Sequence, residues 1–212
     1  MSSIAIIDYG MGNLHSVAKA LEHVADGHKI TVTSDPAIVD AADRVLFPGV
    51  GAMRDCMAGL KELKLDAAIR RAIDSRPVFA ICVGMQALMD MSEENDNTEC
   101  LGVFPGKVRF FGTDMRDASG QRLKVPHMGW NQVRQRVDHP MWSGIEQDTR
   151  FYFVHSYYCE PQDESIIAGS CDYGKSFAAS LYRDNLFAVQ FHPEKSHNAG
   201  LQLLKNFTTW SP

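Results

Sequence analysis

The chain has 212 residues, 45% of them hydrophobic, with 21 basic against 26 acidic side chains and a formal charge of −5. That composition supplies a sizeable core and leaves no basic stripe for a nucleic acid. No apolar run approaches the roughly 20 residues that cross a bilayer.

The opening MSSIAIIDYG lacks a basic segment, and Asp8 breaks its apolar run, unlike a secretory leader. "IAIID" (4–8) reads as a buried strand. Apolar residues at 14, 17, 18, 21 and 24 have helical spacing. "KITVT" (29–33) is a second strand, and Ser34 to Ala42 a short helix. "RVLFPGVGA" (44–52) is a strand ending in a Pro/Gly turn. A helical stretch follows to about Ser75. Pro77 then starts the strand "PVFAIC", and "VGMQALMDM" reads as the next helix. Strands alternating with helices predict βαβ units, hence a parallel sheet covered on both faces.

The second half is different. "GKVRFF", "RFYFVHSYY", "SIIAGSC" and "FAVQFH" are strand-like with few helices between them. They predict antiparallel strands added to the parallel core. "NAGLQLLKNFTTW" (198–210) is a closing helix, with apolar residues at 201, 203, 204 and 207. No repeat, linker or low-complexity tract interrupts the chain, so residues 1–212 read as a single domain.

Cysteines stand at 56, 82, 100, 159 and 171, with no C-x-x-C pair and no zinc-finger spacing to histidine. That pattern predicts a reduced, cytoplasmic setting and no structural metal. Cys82 is placed differently from the rest. It ends an apolar strand, with small residues Ala80 and Gly84 two positions to either side. A sharp strand-to-helix turn that exposes a nucleophile needs small flanks, because larger side chains would collide there. Buried, inert cysteine is the common alternative.

A cysteine nucleophile needs a base. His15, His23 and His28 fall on or beside the first helical stretch and are expected to face solvent. His192 instead ends the apolar run in "FAVQFHPEKS". In an extended segment, residues 192 and 194 project to one side, so Glu194 can orient the His192 ring. The glycines of "PGVGA" (48–52) allow backbone N–H groups near a ligand, which makes Gly49, Val50 and Gly51 oxyanion candidates. "YGMGNL" (9–14) has G-x-G without a third glycine, a poor match to a dinucleotide loop.

Together these pieces resemble the class I, or triad, glutamine amidotransferases. The signatures of that family are a G-x-C-x-G-x-Q elbow and a downstream F-H-P-E; here they stand as "AICVGMQ" and "QFHPEKS". "PHMGWN" (126–131) and "YFVHSYY" (152–158), with "DYGMGN" and "PGVGA", are similar to the glutaminase-subunit family of imidazole glycerol phosphate synthases. The resemblance spans nearly the whole chain. One departure is Ala80, where the family usually has glycine.

The resemblance implies a flavodoxin-like α/β fold, with a mixed, mainly parallel sheet and helices on both faces. It implies that Cys82 attacks the glutamine carboxamide, that His192 moves protons and that Glu194 orients His192. Val83 joins Gly49, Val50 and Gly51 in the oxyanion hole. Gln86, Glu94, Ser156 and Tyr157 hold the substrate. Trp130 and Asn131 face a (β/α)8-barrel cyclase in a one-to-one heterodimer, and Tyr152 and Lys195 line the exit for ammonia. No cofactor is implied. A flip of the Gly49–Val50 peptide is the expected switch, with Gly49→Pro blocking stimulation but not folding. Three alternatives stand beside this reading: a triad glutaminase serving another synthase, a stand-alone cysteine hydrolase, and a scaffold subunit with a dead site.

Overall fold

The computed structural model describes residues 2–212. Its first half follows the predicted alternation. β1 (Ser2–Ile7) buries Ile4 to Ile7 without a break, as a strand covered on both faces must. α1 (Leu14–Val24) turns Val17, Ala18 and Leu21 inward. β2 (His28–Thr33) follows. α2 (Pro36–Ala41) is shorter than the predicted helix, because Asp35 caps it by accepting from the Ala37 N–H and Pro36 takes the first helical position. β3 (Arg44–Gly49) runs through Pro48.

The helical stretch that the sequence predicts up to Ser75 is two helices, α3 (Met53–Glu62) and α4 (Leu65–Ile73). They part where Lys64 adopts φ 56°, which no continuing helix allows. β4 (Val78–Cys82) is buried at every residue. The helix after it is also shorter than predicted. α5 (Val83–Ala87) makes little more than one turn before β5 (Met89–Ser92) begins. The residue 101–104 segment captures the carbonyls of that turn: Leu101 N donates to Ala87 O, and Val103 N and Phe104 N both donate to Leu88 O. Tertiary bonds thus override the helical periodicity that runs on to Met91.

The second half holds β6 (Thr98–Glu99), β7 (Phe104–Phe110), β8 (His127–Gln132), β9 (Arg134–Gln135), β10 (Arg150–His155), β11 (Tyr157–Pro161), β12 (Ile167–Asp172), β13 (Ser176–Arg183) and β14 (Leu186–Val189), then α6 (His197–Thr209). The single strand expected from "RFYFVHSYY" breaks at Ser156 into β10 and β11. β14 stops at Val189, short of His192.

The main sheet runs β2-β1-β3-β4-β14-β13-β11-β7-β5-β6, with β12 and β9 attached beside β13. From β2 to β14 every pairing is parallel. From β14 through β13 and β11 to β7 it is antiparallel. β8 and β10 form a separate two-stranded ribbon. Helices flank the sheet in two groups: α1 packs on α6, while α4 packs on α2 and α3. One continuous apolar core joins both halves. The flavodoxin-like, mainly parallel arrangement expected from the sequence is therefore present, and the carboxyl ends of β3, β4 and β14 converge on one edge, where ligands of open α/β sheets bind.

Candidate active site

The site starts at the end of β4. Cys82 sits at φ 55°, ψ −113°, backbone space that side-chain-bearing residues seldom occupy. The sharp turn read from "AICVGMQ" is real, and its crowding is measurable. A Cβ at Gly84 would strike the Phe47 carbonyl. Ala80 pairs with Phe47 and Ala188 and is fully buried without conflict, so its extra methyl is accommodated.

Register places the neighbours of Cys82. On one side Gly49 is its direct partner at the end of β3. On the other, Val189 pairs with Ile81, so the chain leaving β14 passes beside the sulfur. The first residue out is Gln190, fully buried, with Nε2 3.8 Å from Cys82 Sγ. Two residues on, His192 is 2% exposed, held by its N–H donating to Tyr152 O.

His192 Nδ1 lies 2.8 Å from Glu194 Oε1, both side chains buried. The two residues do meet, but not along an extended strand: Pro193 starts a 3₁₀ turn, and Ser196 Oγ closes it by donating to His192 O. His192 Nε2 is buried and makes no hydrogen bond among the described residues. Burial opposes the imidazolium, but Cys82 and Glu194 outweigh it and raise the ring to about 10.

A cavity of about 350 Å³ opens over these groups. It is lined by Val50, Gly51, Cys82, Val83, Gln86, Glu94, Pro126, Val154, His155, Ser156, His192 and Lys195. Its size suits a ligand of amino-acid dimensions. Gly49 is not among the lining residues. A Cβ there would lie 2.6 Å from Tyr9 Oη and 2.8 Å from Gly84 N. This position needs glycine for close approach, so a proline at 49 cannot leave the fold intact as the sequence reading expected.

Gln86 lies in the cavity wall, but both of its N–H bonds are used. Nε2 donates to Tyr157 O at 3.0 Å and to Gln190 Oε1 at 2.9 Å. Only its carbonyl oxygen remains for a ligand. Glu94 is also double-purposed: Oε2 accepts from Met53 N at 2.8 Å, at the start of α3. Ser156 lines the cavity, whereas Tyr157, expected beside it, does not: its carbonyl accepts from Gln86 Nε2 and its ring turns onto Phe110.

Four residues were expected at a partner face, and three gather. Trp130 is 41% exposed, stacks on His197 at 5.0 Å and meets Tyr152 edge-on at 6.1 Å. Lys195 Nζ stands 5.9 Å over the Tyr152 ring. Asn131 lies on the opposite side of the ribbon and donates to Asp172 O at 2.8 Å. Of the three early histidines, His15 and His23 are exposed. His28 is half-buried, with Nε2 3.2 Å from Thr208 O.

Sequence reasoning missed Gln190 and His155. Gln190 sits inside the quoted "QFHPEKS" run, yet no periodicity reveals that its side chain turns toward the end of β4, 108 residues earlier in the chain. His155 stands inside the quoted "YFVHSYY" run, where nothing in the sequence sets it apart.

A sequence profile described as "Glutamine amidotransferase class-I" matches residues 5–210. The chain belongs to this family. Full-length relatives agree. The chain is 60% identical over 210 residues to "Imidazole glycerol phosphate synthase subunit HisH 1" of Pseudomonas aeruginosa, covering 99% of this chain and 98% of that one. It is 58% identical over 212 residues to the HisH subunit of Acinetobacter baylyi, covering 100% of both. Among solved structures, PurLQS of Thermotoga maritima superposes with a TM-score of 0.71 at 16% identity, over 98% of each chain. A structure described as glutamine amidotransferase gives 0.71 at 14% identity, over 97% of this chain and 99% of that one. At such low identity these two speak for the class I amidotransferase fold alone.

Proposed function

We propose that this chain is the glutaminase subunit of an imidazole glycerol phosphate synthase, acting in histidine biosynthesis. The observation that carries the chemistry is one constellation: Cys82 on a strained turn, with His192 beside it and Glu194 2.8 Å behind. Identity of 58–60% along the whole length of named HisH subunits supports the biological assignment. The unbroken core supports reading residues 1–212 as one domain.

In this reading Cys82 Sγ attacks the side-chain carboxamide carbon of glutamine, and His192 holds the thiol proton. Backbone N–H groups near Val50, Gly51 and Val83 stabilise the tetrahedral oxyanion. As the C–N bond breaks, His192 passes the proton to the leaving ammonia, leaving a γ-glutamyl thioester on Cys82. Water then attacks that thioester while His192 takes a proton from it, and glutamate departs with the thiol restored. Glu94 carries the charge to bind the substrate ammonium, and the Gln86 carbonyl oxygen is a second acceptor. Glu194 keeps the imidazole in its productive orientation.

The partner is a cyclase subunit with a (β/α)8 barrel, in a one-to-one pair. The cluster of Trp130, Tyr152, Lys195 and His197 supports a docking face beside the cavity, since aromatic residues such as Trp and Tyr are enriched in interface cores, with Lys195 suited to the polar rim. Ammonia leaves past Lys195. The decisive experiment is glutamine hydrolysis by the purified chain, with and without the cyclase and its nucleotide ligand, beside Cys82→Ala. Stimulated hydrolysis that disappears in Cys82→Ala is expected. Hydrolysis surviving in that variant would remove Cys82 from the mechanism.

A further inference from the structure

The hydrogen bonds around Tyr157 join into one chain whose direction is fixed. Tyr157 O can only accept, so His155 Nδ1, 2.7 Å away, donates to it. Burial lowers His155 to about 3, so its ring is neutral and Nε2 is an acceptor. His127 Nδ1, 3.0 Å from that nitrogen, must therefore donate. Burial also lowers His127, to about 4, which leaves its Nε2 to accept from Asn131 Nδ2 at 3.3 Å.

The other arm is determined in the same way. Gln86 Nε2 gives one hydrogen to Tyr157 O and one to Gln190 Oε1. With its oxygen thus identified, Gln190 must present its own Nε2 to Cys82 Sγ. No amide in this arm can be turned over without opposing two donors or two acceptors. The pattern therefore reads Asn131 → His127 → His155 → Tyr157 O ← Gln86 → Gln190 → Cys82.

We infer that Gln190 is a positioning residue for the nucleophile, aimed at Cys82 Sγ by Gln86 and, through the shared Tyr157 carbonyl, by the His155–His127 pair. This rests on the reading of Cys82 as the nucleophile. An N–H directed at sulfur favours the thiolate over the thiol and fixes the lone pair that attacks. Three titratable groups interact with Cys82: His192 after β14, Tyr9 after β1 and Cys159 on β11. None of them supplies a neutral donor whose direction the fold fixes. His127 touches no reacting atom; His155 lines the cavity and faces His192 as well, and its part in the chain is the hydrogen bond it donates to Tyr157 O.

The test is the rate at which iodoacetamide alkylates Cys82 in the full chain, followed by mass spectrometry over a pH series. Gln190→Glu keeps the shape but replaces the donor with an acceptor. Its rate at neutral pH is expected to fall about 10- to 100-fold, the worth of one hydrogen bond to a charged group, with the profile displaced to higher pH. Gln190→Leu should fall between it and the parent. His155→Leu should slow alkylation about tenfold, and His155→Gln, which retains one donor and one acceptor, should regain most of that loss. If His155→Leu does not fold, the two Gln190 variants decide. Parental rates and pH profiles in folded Gln190→Glu and Gln190→Leu would overturn the inference. A parent chain whose Cys82 takes no adduct would instead overturn the nucleophile assignment beneath it.

Discussion

Gly49 and Cys82 are direct register partners at the carboxyl ends of two adjacent parallel strands. The proposed oxyanion segment and the proposed nucleophile therefore end at one level, and any shift of β3 against β4 moves the Gly49 backbone and the Cys82 sulfur apart. A methyl at Gly49 would press on Tyr9 Oη and the Gly84 amide. Gly49→Ala is expected to cost about 1–3 kcal/mol by overpacking and to lower glutamine hydrolysis strongly. Thermal unfolding and turnover measured together check it, and parental values for both would show that the strand ends have slack.

The strained turn gives a second expectation. At φ 55°, ψ −113°, a residue with a side chain stores about 1–3 kcal/mol that glycine does not. Both Cys82→Ala and Cys82→Gly lose the sulfur and should be inactive. The glycine variant should be the more stable of the two by about 1 kcal/mol, even though glycine normally costs conformational entropy. Equal unfolding midpoints would mean that the turn relaxes once sulfur is gone.

Much of this site was legible before any coordinates. A strand ending in cysteine with small flanks, and a later His-Pro-Glu, name groups that the structure does bring together, because strand ends of α/β sheets converge. What was not legible depends on contacts distant in sequence. The early end of α5 is imposed by residues 101–104 binding its carbonyls. β13, with the sequence "SFAASLYR", escaped notice because its small residues make no apolar run, although all but the first and last two are buried. Gln190 was invisible as a neighbour of Cys82 because only the pairing of β14 with β4 brings them together. His192 and Glu194 were paired correctly for a reason that does not hold, since a 3₁₀ turn rather than an extended strand unites them.

Glu94 lets the proposed substrate role be separated from a structural one. Its Oε2 caps α3, where Ala52 offers no side-chain cap of its own. Glu94→Gln keeps an acceptor for Met53 N and removes the charge, so KM for glutamine should rise while unfolding is nearly unchanged. Glu94→Ala should raise KM similarly and also lose about 0.5–2 kcal/mol of stability. Loss of stability in Glu94→Gln equal to that in Glu94→Ala would assign the cap to charge rather than to the hydrogen bond.

The buried histidines predict a weakness toward acid. Burial lowers His155 to about 3 from its ordinary 6.5. The folded chain holds this ring neutral while the unfolded chain protonates it, so its contribution is complete above 6.5 and is lost as pH falls from 6.5 toward 3. At about pH 5 the loss from His155 alone approaches ~2 kcal/mol. His127 and His139, each lowered to about 4 by burial, act in the same direction. Denaturant unfolding at neutral and mildly acidic pH checks this. The acid limb should flatten in His155→Gln, and an unchanged slope there would place the sensitivity elsewhere.

The β8–β10 ribbon carries two sets of residues on alternate positions. Met128, Trp130 and Tyr152 look outward, while His127, Phe151, Phe153 and His155 are buried. Because strand side chains alternate with a period of two, a slip of one residue would exchange the sets. Such a slip would put the histidines in solvent and force Trp130 into the core. An insertion or deletion of odd length inside either strand would therefore exchange the two faces beyond it. Length changes in the connections before His127 and between β9 and β10 leave the register of the ribbon, and so both of its faces, untouched.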